Sequence, residues 1–281
     1  MAKNPLRVLT MHATDEESDA FEALKNCSFI YAPKGQAGEY AARACNPCRG
    51  CGHGCKYCYV PLILHMKRPE FDAGAIPRPD FLHHLRRDAV KYQAAGYTGQ
   101  VMLSFTTDPY HPGDTTLTRQ TLQCLQEHGM AVCTLTKGGT RALRDLDLFR
   151  PSRDAFASTL TSLDDAFSLK WEPKAALPDD RVAALKAFYD AGIYTWVSLE
   201  PTLDCESSLE IVRRTNEFVN LFKIGKANYL GEYGKRIDWK SYTERMMALC
   251  SKLGVTHYFK KDLQQYLPEG YVNVLRHDQH H

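Results

Sequence analysis

Asn46-Pro47-Cys48-Arg49-Gly50-Cys51-Gly52-His53-Gly54-Cys55-Lys56-Tyr57-Cys58-Tyr59 is the stretch on which the reading of this chain turns. Cys51, Cys55 and Cys58 stand in C-x3-C-x2-C spacing within a glycine-rich loop that can wrap three thiolates around a small inorganic cube. Three thiolates for four irons leave one iron without a protein ligand, whereas an electron-carrying or structural cluster usually has four cysteines. An open iron can hold a small-molecule cofactor, the protein supplying position and exclusion. The metal ligands expected here are therefore Cys51, Cys55 and Cys58, on a 4Fe-4S cluster. Two other readings stay open. A zinc-binding module favours paired C-x2-C units and four ligands. Cys45, Cys48, Cys51 and Cys55 also have the C-x2-C-x2-C-x3-C spacing of a ferredoxin-like electron carrier, except that Lys56 stands where a proline usually follows.

Outward from this loop, short β-branched or aromatic runs alternate with segments of helical period, the pattern of βα units around a parallel sheet. Strands are expected at Ala42 to Asn46, Gln100 to Phe105, Ala131 to Thr136, Ala155 to Leu160, Tyr194 to Leu199, Leu221 to Gly225 and Thr256 to Phe259. Asp179 or Asp180 is expected to cap a helix with Val182, Leu185 and Phe188 on one face, stopped by Gly192. Tyr242, Met246, Leu249 and Leu253 line another that ends at Gly254. The fold class is α/β, a partial or near-complete parallel (β/α) barrel. Residues 1–39 form an N-terminal extension, 40–270 the barrel, and 271–281 a tail ending in His277-Asp278-Gln279-His280-His281. Chemistry in such a barrel sits at the carboxyl ends of the strands. Thr106, Thr107 and Asp108, Lys137, Glu200 and Lys226 all follow predicted strands.

The motif and its flanks resemble the radical SAM superfamily, and more narrowly its spore photoproduct lyase-like (DNA repair photolyase-like) branch. Thr107-Asp108-Pro109-Tyr110, Thr136-Lys137 and Trp171-Glu172-Pro173 fit that branch, so the resemblance runs from about residue 42 to 230. It implies S-adenosylmethionine as second cofactor, held through its amino and carboxylate groups on the open iron and cleaved reductively to a 5'-deoxyadenosyl radical. It implies cofactor contacts at Tyr57, Thr106, Thr107, Asp108, Lys137 and Glu200. Asp108 would face the methionine ammonium, and Lys137 its carboxylate. Lys223 and Lys226 join Glu200 as candidates for ribose, carboxylate or substrate. The branch uses a cysteine as hydrogen donor, and Cys205 is the catalytic candidate here. A reductant such as flavodoxin or ferredoxin is an implied partner.

Composition sets outer bounds. Hydrophobic residues at 44% and charged residues at 24% describe an ordinary globular chain, and no apolar run approaches the ~18 residues of a membrane span. Met1 to Met11 lacks a signal-peptide core, and ten cysteines without a disulfide pattern suit the reducing cytoplasm. After Cys58 the cysteines are Cys124, Cys133, Cys205 and Cys250, too scattered for auxiliary clusters, which lowers the weight of peptide substrates. Arg43 to Lys91 holds nine Lys/Arg against four Asp/Glu, a segment able to attract phosphates or simply a solvated face. The favoured substrate is a thymine-derived or otherwise modified nucleobase in DNA or a nucleotide. Its bond is cleaved or rearranged in base hypermodification or photoproduct repair, a lyase or isomerase reaction. A peptide or small molecule is the alternative. Arg49, Lys56, Lys67 and Arg68 are the expected phosphate contacts. Trp171, in a long loop with Lys170, Glu172, Pro173 and Lys174, either stacks on a base or anchors that loop.

Overall fold

The computed structural model describes Leu24 and residues 26–273. Most of the expected N-terminal extension, and His277 to His281 of the expected tail, lie outside the described residues. Among the described residues nine strands occur: β1 (Arg43–Cys45), β2 (Cys48–Arg49), β3 (Ile76–Pro77), β4 (Gln100–Leu103), β5 (Ala131–Thr136), β6 (Ala155–Thr159), β7 (Tyr194–Leu199), β8 (Leu221–Ile224) and β9 (His257–Phe259). Seven pair in parallel in the order β1-β4-β5-β6-β7-β8-β9, while β2 and β3 form a small antiparallel ribbon. The seven-stranded sheet with helices between successive strands is a partial (β/α) barrel, as expected. Among the described residues no helix is long and apolar enough to cross a membrane.

Side-chain alternation divides the core into two shells. Val101, Leu103, Val132, Phe156, Val197 and Phe222 point outward and are buried under the helices. Met102, Cys133, Ala155, Ala157, Trp196, Leu221 and Tyr258 point inward, small residues making room for the indole. The helix Pro178–Asp190 shows how the outer shell closes: Val182, Leu185 and Phe188 are buried, and Phe188 stacks on Phe156 at 3.9 Å between ring centroids. Its N-cap is Leu177 rather than Asp179 or Asp180, which sit in the first turn beside Pro178. The helix Trp239–Leu253 begins at Asp238, which accepts from Ser241 N, and ends at Gly254 in left-handed conformation.

Of the four strands that end earlier than the sequence pattern suggests, β1 and β4 do so for one reason. Asn46 leaves β1, and its Oδ1 accepts from the N–H groups of Phe105 (2.8 Å) and Thr106 (3.3 Å), turning both β1 and β4 out of the sheet. The long loop expected before Asp179 also differs. It holds a helix, Asp165–Trp171, capped by Asp164 through the N–H of Phe167.

β1 and β9 are not paired with each other, so the barrel has a seam. The segment before β1 fills it. Glu39 Oε1 accepts from Tyr258 Oη (3.1 Å) and Lys261 N (2.7 Å), while Lys223 Nζ donates to the carbonyls of Glu39 and Tyr40, each at 3.0 Å. Further back, buried Asp88 accepts from the N–H groups of Ser28, Phe29 and Ile30. Residues ahead of residue 40 are thus part of the barrel wall.

Candidate active site

The loop after β2 is built to hold its shape. Gly50, at φ +82°, lies so close to the Gly74 carbonyl that any side chain would strike it, and Cys51 N donates to Phe71 O at 2.8 Å. Arg68 donates to the carbonyls of Cys58 (3.1 Å) and Cys55 and pairs with Asp72 at 2.6 Å. On the other side, Lys56 N donates to Trp171 O and Lys174 N to His53 O, so the 171–174 segment clamps the loop. Cys51, Cys55 and Cys58 all line one cavity at the carboxyl ends of the strands, shared with Tyr57, Thr106, Thr107, Asp108, Lys137 and Glu200.

Among the described residues no three His, Cys, Asp or Glu side chains converge closely enough to hold a single metal ion. Three cysteines on one cavity are one ligand short of the four that a structural zinc site takes, and they suit a cube in which each meets a different iron. Burial pushes the Cys51 thiol up to about 11, with Asp108 adding to it, and raises Cys55 and Cys58. Backbone groups of His53 and Asp108 at Cys51, and of Val60 at Cys58, work the other way and favour the thiolates that an iron–sulfur cluster requires. Cys45 packs in the outer core, and Cys48 is buried in β2; neither lines the cavity, so the ferredoxin spacing does not gather around it.

Asp108 lines the cavity, but its oxygens are already engaged. Oδ1 accepts from Tyr110 N (2.8 Å) and Thr136 Oγ1 (2.5 Å), and Oδ2 accepts from Lys137 N (2.7 Å). His53 Nδ1 lies 3.4 Å from Oδ2, and Arg141 donates to His53 Nε2, which leaves the imidazole proton on Nδ1, facing Asp108. Although burial opposes its charge, His53, Lys137 and Thr136 hold the carboxyl well below the usual range. Through these bonds Asp108 ties the ends of β4 and β5 together and fixes the backbone of Lys137 while it lines the cavity. Among the described residues the Lys137 ammonium has no hydrogen-bond partner. Burial works against its charge, but Cys55, Glu172 and Asp108 outweigh it.

Tyr57 presents its ring to the cavity and donates its hydroxyl to Glu172. Glu172 is buried and pairs with buried Arg181 at 2.5 Å; Arg181 also donates to the carbonyls of Ala176 (2.7 Å) and Thr159 (3.1 Å). Glu200 has both oxygens engaged: Oε2 accepts from Tyr40 Oη (2.5 Å) and Lys260, and Oε1 from Asn228 Nδ2 at 3.4 Å. Lys223 is not at the cavity but inside the barrel, over the Trp196 ring at 4.6 Å, and burial lowers it to about 7. Lys226 does line the cavity.

Placement differs from expectation for Cys205 and Arg68, and for Trp171 it agrees with the second of its two readings. Cys205 is the first residue of the helix Cys205–Thr215, packed on the outer core and not on the cavity, because Asp204 caps that helix through Ser207 N and has already turned the chain outward. Cys205→Ser is accordingly expected to leave the rate of S-adenosylmethionine cleavage and of substrate turnover unchanged in an anaerobic assay. Trp171 lies against Tyr233 (5.2 Å) and Phe167 (6.5 Å) and anchors the clamp instead of facing the cavity. Arg68 is spent on the cysteine loop. Arg49, Lys56 and Lys67 remain exposed. The sequence reading passed over Arg181, His53, Arg141 and Tyr40. Of these, only His53 carried a local signal, between the two glycines of the motif.

This geometry, three cysteines around one side of a cavity at the strand ends of an open βα barrel, accords with the comparison of families. Residues 45–219 match the model of the Radical SAM superfamily, more than half of the chain, and the protein belongs to that superfamily. It is a radical SAM enzyme, and its cofactors are those of the superfamily, a 4Fe-4S cluster and S-adenosylmethionine. An uncharacterized protein of Methanocaldococcus jannaschii is 25% identical over 178 residues, which are 62% of this chain and 65% of that protein, so the chain spans under two thirds of its length. An uncharacterized protein of Acidianus two-tailed virus is 26% identical over 222 residues, 74% of this chain and 73% of the other. Among solved structures, spore photoproduct lyase complexed with dinucleoside spore photoproduct aligns at TM-score 0.63 and 17% identity, over 92% of this chain and 89% of that one. Streptococcus suis SuiB bound to S-adenosylmethionine aligns at 0.58 and 15%, over 82% and 52%. These likenesses show the shared fold.

Proposed function

We propose that this enzyme acts on a thymine-derived or otherwise modified nucleobase, in DNA or a nucleotide, cleaving or rearranging a bond on that base. The observation that carries the reading is an aromatic platform on the cavity. Tyr59, directly after the last cysteine, stacks on Tyr229 at 5.1 Å and 30°; both line the cavity, and Tyr229 is 68% exposed. A splayed base can stack on such a face, an interaction of about 1–3 kcal/mol per base. Exposed Arg49, Lys56 and Lys67 would supply phosphate contacts, without Arg68. The structure of spore photoproduct lyase complexed with dinucleoside spore photoproduct is covered almost end to end by this chain, which supports the same branch.

When bound, the cluster and S-adenosylmethionine supply a carbon radical able to abstract hydrogen. The protein's own residues do the placing. Cys51, Cys55 and Cys58 hold the cluster; Lys137 offers its free ammonium to the methionine carboxylate; the Tyr57 ring provides an apolar face. The strand-end residues Thr106 and Thr107 form the opposite lip, Thr106 Oγ1 being held by Cys48 O at 2.6 Å. Glu200 acts from within its network with Tyr40 and Lys260. An acidic flavodoxin or ferredoxin would supply the electron.

The test offers deuterated thymine-containing DNA, both damaged and modified, the matching mononucleotides, and peptides to the reconstituted enzyme. Peptides belong in the test because SuiB has been solved with its precursor peptide SuiA. Deuterium is expected in 5'-deoxyadenosine with a nucleic-acid substrate. Three phosphate contacts on single-stranded DNA would give a log–log salt slope of about −2. Transfer from a peptide alone, with salt-insensitive DNA binding, sinks the nucleobase reading and leaves the radical chemistry standing.

A further inference from the structure

We propose that Lys226 recognises an anionic group of the substrate, a phosphate, on a different wall of the cavity from Lys137; this assignment rests on the nucleobase reading. Apart from the cysteines, the formally charged residues lining the cavity are Asp108, Lys137, Glu200 and Lys226. The two carboxylates are engaged, Asp108 by Tyr110, Thr136 and Lys137, Glu200 by Tyr40, Lys260 and Asn228. Asp108 acts on the charge of Lys137, and among the described residues neither carboxylate forms an ion pair with Lys226. Lys137 follows β5, on the side of Asp108 and Cys55, whereas Lys226 follows β8, three places further along the sheet.

The surroundings of Lys226 hold a cation without neutralising it. Its Nζ lies 5.2 Å from the centroid of Trp239 and 5.3 Å from that of Tyr266, and its one hydrogen bond, to Tyr266 Oη, is long at 3.4 Å. Among the described residues it forms no ion pair. Aromatic faces attract an ammonium yet leave its charge intact. A half-buried cation with no counter-ion binds an oxyanion more strongly than a solvated one does. The same loop carries Tyr229, three residues on, so one short segment of the cavity lining holds both a stacking face for a base and a lysine. Two sources share this chemistry: the phosphate monoester of a nucleotide and the phosphodiester next to a base in DNA.

Calorimetric titration of the reconstituted, S-adenosylmethionine-loaded enzyme distinguishes them, using thymidine, thymidine 5'-monophosphate, the dinucleotide TpT and 2-deoxyribose 5-phosphate. The wild-type enzyme is expected to bind one thymine phosphate about tenfold or more tightly than thymidine, the effect of a charge-assisted contact. Preference for the monophosphate assigns a nucleotide, and preference for TpT assigns DNA. Lys226→Gln is expected to abolish the preference and Lys226→Arg to keep most of it, with melting temperatures checked for both. A preference that survives Lys226→Gln, or no gain from any phosphate, overturns the proposal. Lys226-dependent binding of deoxyribose phosphate with no response to any thymine compound supports the anion site and sinks the nucleobase reading.

Discussion

Alanine at Cys51, Cys55 or Cys58 is expected to take the anaerobically reconstituted protein from about four irons per chain to nearly none and to abolish S-adenosylmethionine cleavage. Each of the three sulfurs lines the cavity, and the loop between them is held by Arg68, by the Phe71 carbonyl and by the 171–174 clamp, so no other cysteine is placed to substitute. Cys45→Ala and Cys48→Ala should keep full iron and sulfide, since these thiols pack away from the cavity. Iron and acid-labile sulfide analysis with a 5'-deoxyadenosine assay checks both halves. A cluster that survives loss of Cys58 but not of Cys45 and Cys48 would restore the ferredoxin reading.

The largest effect on stability is expected at Arg181. Arg181→Ala would leave Glu172 as a buried, uncompensated carboxylate and strip donors from the carbonyls of Ala176 and Thr159. Breaking a buried pair in this way typically costs about 3–5 kcal/mol. Removing both charges together, as Arg181→Met with Glu172→Gln, should lose less than Arg181→Ala alone. Denaturant midpoints and slopes measure this; a loss under about 1 kcal/mol for the alanine variant contradicts it. The pair also sets a pH dependence. Burial raises the Glu172 carboxyl, but Arg181, Lys137 and the Tyr57 hydroxyl outweigh it, so its folded value is lowered. The stability it contributes is present above the usual glutamate value of ~4.3 and is lost as pH falls through the lowered folded value. Wild-type stability should fall on acidification through that window, and the double variant should be flatter there.

What the sequence made legible was local. The cysteine loop reads directly because its spacing and glycines lie within a few residues, and the Val182-Leu185-Phe188 stripe reads because a helix repeats its face every turn. Glu172 and Arg181 are nine positions apart across a clamp and a helix start, and nothing in their spacing announces a buried pair. Asp108 was legible by position, but its bonds to the backbone of Tyr110 and Lys137 were not, because a carboxylate at a strand end looks the same whether it faces solvent or the next strand. Cys205 was misplaced by reading too far past β7. Glu200 still belongs to the strand end, whereas Asp204-Cys205-Glu206-Ser207 already has the pattern of a capped helix start. Tyr40 stands at the first residue of the expected barrel, ahead of its first expected strand, and no periodicity ties it to Glu200, 160 residues on.

The superfamily match begins at Cys45 and stops at residue 219, so it excludes both sides of the seam: the segment ahead of β1, and β8 and β9. A chain trimmed to that match would keep every cluster ligand and still lack a closed wall. Trp196 would face water, and the Glu200 carboxylate would lose Tyr40 and Lys260 together. In a chimera between relatives, residues 31–41 and the last two strands therefore have to be exchanged as one unit. Tyr258 and Glu39 bond across the seam through their side chains, and a hybrid that takes them from different parents can inherit a hydroxyl without its carboxylate.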